Sequence, residues 1–170
     1  MSKASNLAKG GLFTALTVVF LYLSNIVPTN RLYLLALASS IIPLSIMTTT
    51  IKNSIVIYLA STLLSLLLGL KGGALAYAIF FGLYGFVKYY VEKLRKPIYE
   101  IAIKLCFFNT CVYLIFILYK LLFLNFPKVN IPIYYAIAML QVVFVLYDYA
   151  LTVFIAYINK RFISKNTFFK

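Results

Sequence analysis

Residues Leu105 to Tyr119 read LCFFNTCVYLIFILY, a run without a single charged side chain, with Lys104 before it and Lys120 after it. Its apolar residues do not alternate with polar ones, as a strand with one wet face requires. Nor do they keep to one stripe, as on a surface helix of a soluble protein. A helix that is apolar all round belongs in hydrocarbon or in a large core. The rest of the chain decides between these. Of 170 residues, 64% are hydrophobic and only 11% are charged, against about 25% charged in a typical soluble domain. The polar shell for a water-soluble core is missing, so the bilayer is the fitting solvent.

Five further stretches of the same kind flank this one. A span needs roughly 17–25 apolar residues, and the sequence predicts six, over Gly10–Val27, Leu32–Thr50, Ser54–Leu70, Ala74–Val91, Tyr99–Leu124 and Ile131–Ile158. The expected fold is all-α, an integral membrane bundle forming one transmembrane domain over residues 1–170. Pro28 to Arg31 break the first pattern from the second, and Pro43 is expected to bend the second span. Lys52 and Asn53 are expected to form one turn, and Lys71, Gly72 and Gly73 the next, where the glycines supply backbone freedom. Glu92 to Pro97 is the most polar stretch and reads as an interfacial loop. Phe126 to Asn130 reads as another, and Asn159 to Lys170 as a basic interfacial tail. The basic start with Lys3 and Lys9 resembles a signal peptide, but no small-x-small cleavage site follows Leu23, so an uncleaved helix is expected.

Sixteen basic residues stand against three acidic ones, with no histidine. Scattered between apolar spans, they speak of membrane orientation rather than nucleic acid binding. With six spans, Lys3, Lys9, Lys52, Lys88, Lys93, Arg95, Lys96, Lys104, Lys160, Arg161, Lys165 and Lys170 share one side; Arg31, Lys71, Lys120 and Lys128 take the other. The larger group belongs on the cytoplasmic side, with both termini. Lys88 and Lys104 are expected to snorkel from their span ends. Many tyrosines near span ends, among them Tyr22, Tyr33, Tyr89, Tyr90, Tyr99 and Tyr157, read as an aromatic belt.

Few residues offer chemistry. Nucleotide-binding loops and metalloprotease motifs are absent, and without histidine the usual proton-transfer and metal chemistry is largely gone. No enzymatic activity, cofactor or metal is expected. Cys106 and Cys111 lie five apart within one span and point in different directions, so no disulfide between them is expected. Asp148 is the one acid deep in a span, roughly 15 Å from the cytoplasmic end of its helix. A carboxylate there costs about 2.5–3.5 kcal/mol or more in lipid, so it must face a partner, water or a ligand. Asn109 in the fifth span is its first expected partner and Lys104 the second, and Glu100 and Lys104 stand in the favourable i,i+4 order. The structural alternative is an Asp148–Lys104 or Asp148–Asn109 pair; the functional ones are a transport or ligand site and a coupling contact. Gln141, Asn25, Asn30 and Arg31 complete a candidate substrate site, the last three at the outer end of the first span. Small residues recur at four-residue spacing in Gly11-xxx-Ala15, Ala36-xxx-Ser40 and Ala74-xxx-Ala78-xxx-Gly82, with Gly85 nearby. Such stripes let helices approach closely, within the bundle or toward a second membrane protein.

The order of these features resembles a known family. A basic start leads into Lys9-Gly10-Gly11-Leu12-Phe13-Thr14-Ala15-Leu16; a proline-containing turn, Gly69-Leu70-Lys71-Gly72-Gly73-Ala74 and Phe81-Gly82-Leu83-Tyr84-Gly85-Phe86 follow. This resembles the small membrane S components of energy-coupling factor transporters and related families of the same build. The resemblance implies a six-helix subunit in the cell membrane that captures a vitamin or similar small-molecule micronutrient. It also implies a transmembrane coupling protein and two cytoplasmic ATPases as partners. The family's small-xxx-small motif on the first helix contacts the coupling protein, and here Gly11-xxx-Ala15 matches it, with glycine for the usual first alanine. The alternatives are a membrane scaffold or assembly protein without transport, and a small channel or holin-like protein.

Overall fold

The computed structural model describes residues 3–94, 96–122 and 133–160. Arg95, the Phe126–Asn130 loop with Lys128, and most of the basic tail lie outside the described residues. Within them every regular element is a helix: α1 (Lys3–Ile26), a 3₁₀ turn (Pro28–Asn30), α2 (Arg31–Thr48), α3 (Ile51–Leu67), α4 (Lys71–Ala76), a π-helical segment (Tyr77–Phe81), α5 (Gly82–Glu92), α6 (Pro97–Leu122) and α7 (Ile133–Ile158). Five stretches are long and apolar enough to cross a membrane: Ala4–Ile26, Arg31–Thr48, Gly72–Glu92, Pro97–Leu118 and Ile137–Ile158. The helix Ile51–Leu67 is apolar but shorter. At about 1.5 Å per residue, its 17 residues reach roughly 26 Å. The chain reads as a multi-pass membrane protein.

Two compact units result, Met1–Lys93 and Leu94–Lys170. In the first, α1 packs along both α2 and α3, and α2 packs on α5. Asn53 at the start of α3 donates from Nδ2 to the Asn6 carbonyl at 3.0 Å, which puts the beginnings of α1 and α3 at one end. At the other end, Arg31 of α2 lies over Gly72 of α4, and Ser24 of α1 lies beside Gly73. The four rods therefore alternate in direction. Lys9 and Lys52 fall at one end, Arg31 and Gly72 at the other.

This unit inverts the pattern of a soluble protein. Thr17, Ser24, Ser39, Ser45, Ser54, Ser61 and Ser65 are buried, while Leu12, Val19, Tyr22, Val56, Leu63 and Leu67 face outward. Large apolar side chains outside and small hydroxyls inside fit a hydrocarbon solvent. There apolar burial gives no driving force, and close packing of small residues joins helices. The hydroxyls are satisfied locally. Thr17 donates to the Phe13 carbonyl, Ser61 to Ile57 and Ser65 to Ser61, while Ser45 and Ser54 meet across α2 and α3 at 2.7 Å.

Two turns differ from expectation. Lys71, Gly72 and Gly73 are already helical; the reversal is made by Gly69, whose φ of 74° is left-handed. Leu70 N–H bonds the Ser65 carbonyl and Gly69 N–H the Leu66 carbonyl, which is a Schellman ending that needs its glycine only at that one position. Likewise Lys52 and Asn53 belong to the first turn of α3, because Thr50 is extended and its hydroxyl caps Asn53 N–H at 3.3 Å. Pro43 sits inside α2 and does not interrupt it. Between α4 and α5 the helix widens into the π-helical segment, with Gly82 N–H bonding the Tyr77 carbonyl. Hydroxyls from neighbouring helices brace it. Tyr58 donates to the Ala78 carbonyl and Ser39 to the Phe81 carbonyl, both at 2.7 Å. Side-chain hydroxyls are what can satisfy an irregular backbone where water is excluded.

Candidate functional site

In the second unit, α6 and α7 run antiparallel and meet through a ladder of side chains: Lys104 with Asp148, Phe108 with Phe144, Asn109 with Gln141. The phenyl rings stack at 4.4 Å between centroids, 14° from parallel. Below them Lys104, only 3% exposed, bonds two carboxylates, Glu100 at 2.7 Å and Asp148 at 3.0 Å. Above them Gln141 Nε2 donates to Asn109 Oδ1 at 2.6 Å, and Asn109 Nδ2 donates to the Leu105 carbonyl of its own helix. The Gln141 Oε1 atom is buried and accepts nothing among the described residues.

The expected Asp148 neighbourhood is therefore present with its partners exchanged. Lys104, expected second, holds the carboxylate, whereas Asn109, expected first, serves Gln141. Helical register explains the exchange. Lys104 and Phe108 are four apart and share the buried face of α6, while Asn109 is one step further round and reaches a residue seven before Asp148 on α7. Lys104 does not snorkel, and neither does Lys88. Lys88 is 1% exposed and bonds Glu92 at 2.7 Å. The three acids of the chain, Glu92, Glu100 and Asp148, are thus all ion-paired with the two buried lysines.

The remaining candidates lie in the first unit. Asn25 and Asn30 are exposed, and Arg31 is half-buried with its guanidinium over Gly72. Gly11 and Ala15 face outward, and a Cβ added to Gly11 would meet nothing within 4 Å. It is Gly10 that packs inward, against Asn53. Cys106 and Cys111 are free thiols, the first exposed and the second buried. Among the described residues no group of three or more metal-ligating side chains occurs.

The sequence reading overlooked a second polar centre, around Tyr77. The phenol is fully buried where α1, α3 and the π-helical segment meet, and among the described residues its oxygen makes no hydrogen bond of good geometry. Thr17 and Ser61, both fully buried, face it. One signal was available: Ser54, Ser61 and Ser65 fall seven and four apart, on one face of α3.

Comparison of the chain with protein-family models, with curated proteins and with solved structures gives no match.

Proposed function

We propose that residues 1–170 form one domain of the cell membrane, crossing it six times with both termini in the cytoplasm. Its proposed role is that of a substrate-binding subunit for uptake of a vitamin-like small molecule. Energy would come from two separate cytoplasmic ATPases acting through a coupling membrane protein. The observation that carries this reading is the polar ladder between α6 and α7. Charged and amide side chains persist at membrane depth although each is costly there, and Gln141 offers a buried acceptor that a ligand's N–H or O–H group would fill. Mass spectrometry of gently purified protein tests it. A bound small polar molecule, lost from Gln141→Leu but not from the outward-facing Leu146→Ala, is the expected result. Wild-type protein that carries no such molecule and binds none would sink the reading.

One observation favours a second reading, a membrane scaffold without transport. Every acidic side chain is answered by a lysine of the same chain, as a purely structural role requires. Asp148→Asn separates the two: a scaffold keeps its assembly, whereas a binding subunit folds and loses its ligand.

The orientation rests on the twelve-to-four charge bias and is supported by the alternating rods of the first unit. On a background lacking Cys106 and Cys111, a cysteine replacing Lys93 should be labelled by impermeant reagents only after cells are opened. One replacing Leu68 should be labelled in intact cells. Labelling of the Lys93 position from outside would reverse the topology.

Partner docking is assigned to Gly11 and Ala15, which leave a shallow open stripe on α1. Leucine at Ala15 fills that stripe and prevents close backbone approach. The variant should insert and unfold as the wild type does, yet lose a co-purifying membrane partner. Undiminished co-purification would place the docking surface elsewhere.

A further inference from the structure

We infer that the Lys9–Lys52 end of the first unit binds the headgroup of an anionic phospholipid, whose acyl chains lie along the outward faces of α1 and α3. Residues 1–93 hold seven basic side chains and one acid, Glu92. That acid bonds Lys88, which is 1% exposed. One carboxylate cannot balance the charge that gathers at this end. Lys9 and Lys52 lie there. Lys93 joins them, because it follows the rod Gly72–Glu92, which starts at the opposite end beside Arg31.

The crossing of α1 and α3 concentrates two of these cations. Gly10 packs so closely on Asn53 that an added Cβ would stand 3.3 Å from its amide nitrogen and oxygen. Lys9 and Lys52 each precede one member of that contact by a single residue. Like charges gathered without an anion repel each other, and an anion from outside relieves the repulsion. The surface below the lysines says which kind of anion fits. Lys52, Ile55, Val56 and Leu59 share one face of α3, at steps of three, four and seven residues, and all four are exposed. On α1, Lys9, Leu12 and Leu16 follow the same spacing, and both leucines are exposed. Each lysine thus heads an outward apolar stripe. An acidic peptide or a nucleotide would answer the charges and leave the stripes bare; a phospholipid of net negative charge answers both. Each lysine near a membrane surface is worth about fivefold in affinity for anionic lipid. The inference rests on the chain crossing a membrane and is independent of any transport role.

Photo-crosslinking of the full chain in phosphatidylcholine nanodiscs tests it. The probe is phosphatidylglycerol with a diazirine in one acyl chain, added as a minor component. Mass spectrometry should find residues 12–16 and 55–59 crosslinked several-fold more than by a phosphatidylcholine probe with the same diazirine. Lys9→Gln with Lys52→Gln should cut this crosslinking by roughly an order of magnitude. Lys9→Arg with Lys52→Arg should keep it, which separates lost charge from a lost fold. Concentrated salt should weaken it by screening. Equal crosslinking by the two probes overturns the inference, and so does a preference that survives the glutamine variant or is lost from the arginine variant. Inorganic phosphate that displaces the phosphatidylglycerol probe would assign the lysines to a free anion and overturn the lipid.

Discussion

Replacing Lys104 with methionine should destabilise the α6–α7 unit more than any change to either of its partners, by about 3–5 kcal/mol. The cation is 3% exposed and stands between two carboxylates. Its removal leaves Glu100 and Asp148 side by side without the cation between them, or forces one to take up a proton. Methionine keeps the length and apolar stem, so packing changes little and the loss reports the charge. The partners are not equivalent to the lysine. In Asp148→Leu, Lys104 retains Glu100 four residues away on its own helix, so the cation stays paired and the cost is smaller. In Asp148→Asn an amide oxygen still accepts from Lys104, and the cost is smaller again, near that of one hydrogen bond, about 1–3 kcal/mol. The chain has no tryptophan, but Cys111 is a buried thiol. Thermal unfolding on a Cys106→Ser background, followed by a thiol-reactive dye, therefore reads this unit directly. The order of midpoints should be wild type, Asp148→Asn, Asp148→Leu, Lys104→Met. A Lys104→Met midpoint equal to wild type would mean that the two carboxylates are solvated without the lysine.

The same lysine shows where a sequence can and cannot be read. Apolar runs and their interruptions depend on solvent preference, a property each residue carries alone. The breaks at Pro28–Arg31 and Glu92–Pro97 accordingly fall where helices end. Turn chemistry is more local than composition suggests. Three glycines stand near residue 71, and only the backbone decides that Gly69 takes the left-handed position while Gly72 and Gly73 continue as helix. Lys88 and Lys104 look alike as span-end cations, yet both turn inward, because each has a glutamate four residues along its own helix and a buried face to share with it. The i,i+4 spacing of Glu100 and Lys104 was visible; that Asp148 joins them depends on the register between two helices, which no single stretch encodes. Tyr77 was harder still. Its importance comes from a one-residue widening of the helix and from hydroxyls on two other elements, and in the sequence it is one tyrosine among fifteen.

Gly85 carries the other large effect, and its position is defined by what touches it. A Cβ built there would lie 2.8 Å from Pro43 Cδ and 2.9 Å from both Cβ and Cγ2 of Ile42. None of these is the free end of a flexible side chain. Pro43 Cδ belongs to a closed ring, and Ile42 is fully buried in the core beside Phe13, Ile41 and Ile57. The contact is relieved only if α5 withdraws from α2. Gly85→Ala should therefore cost about 1–3 kcal/mol through overpacking, even though alanine gains roughly 0.5–1 kcal/mol over glycine within a helix. Gly85→Leu should leave little folded protein, since α2 and α5 then cannot close on each other and the bracing of the π-helical segment by Ser39 is lost with them. Gly11 is the control. A Cβ there meets nothing within 4 Å, so Gly11→Ala should hold or raise the unfolding midpoint by the helix term alone. Midpoints of the two alanine variants in the same detergent, with the elution profile of Gly85→Leu, decide the matter. If Gly85→Ala is as stable as Gly11→Ala, α5 and α2 do not meet at this glycine.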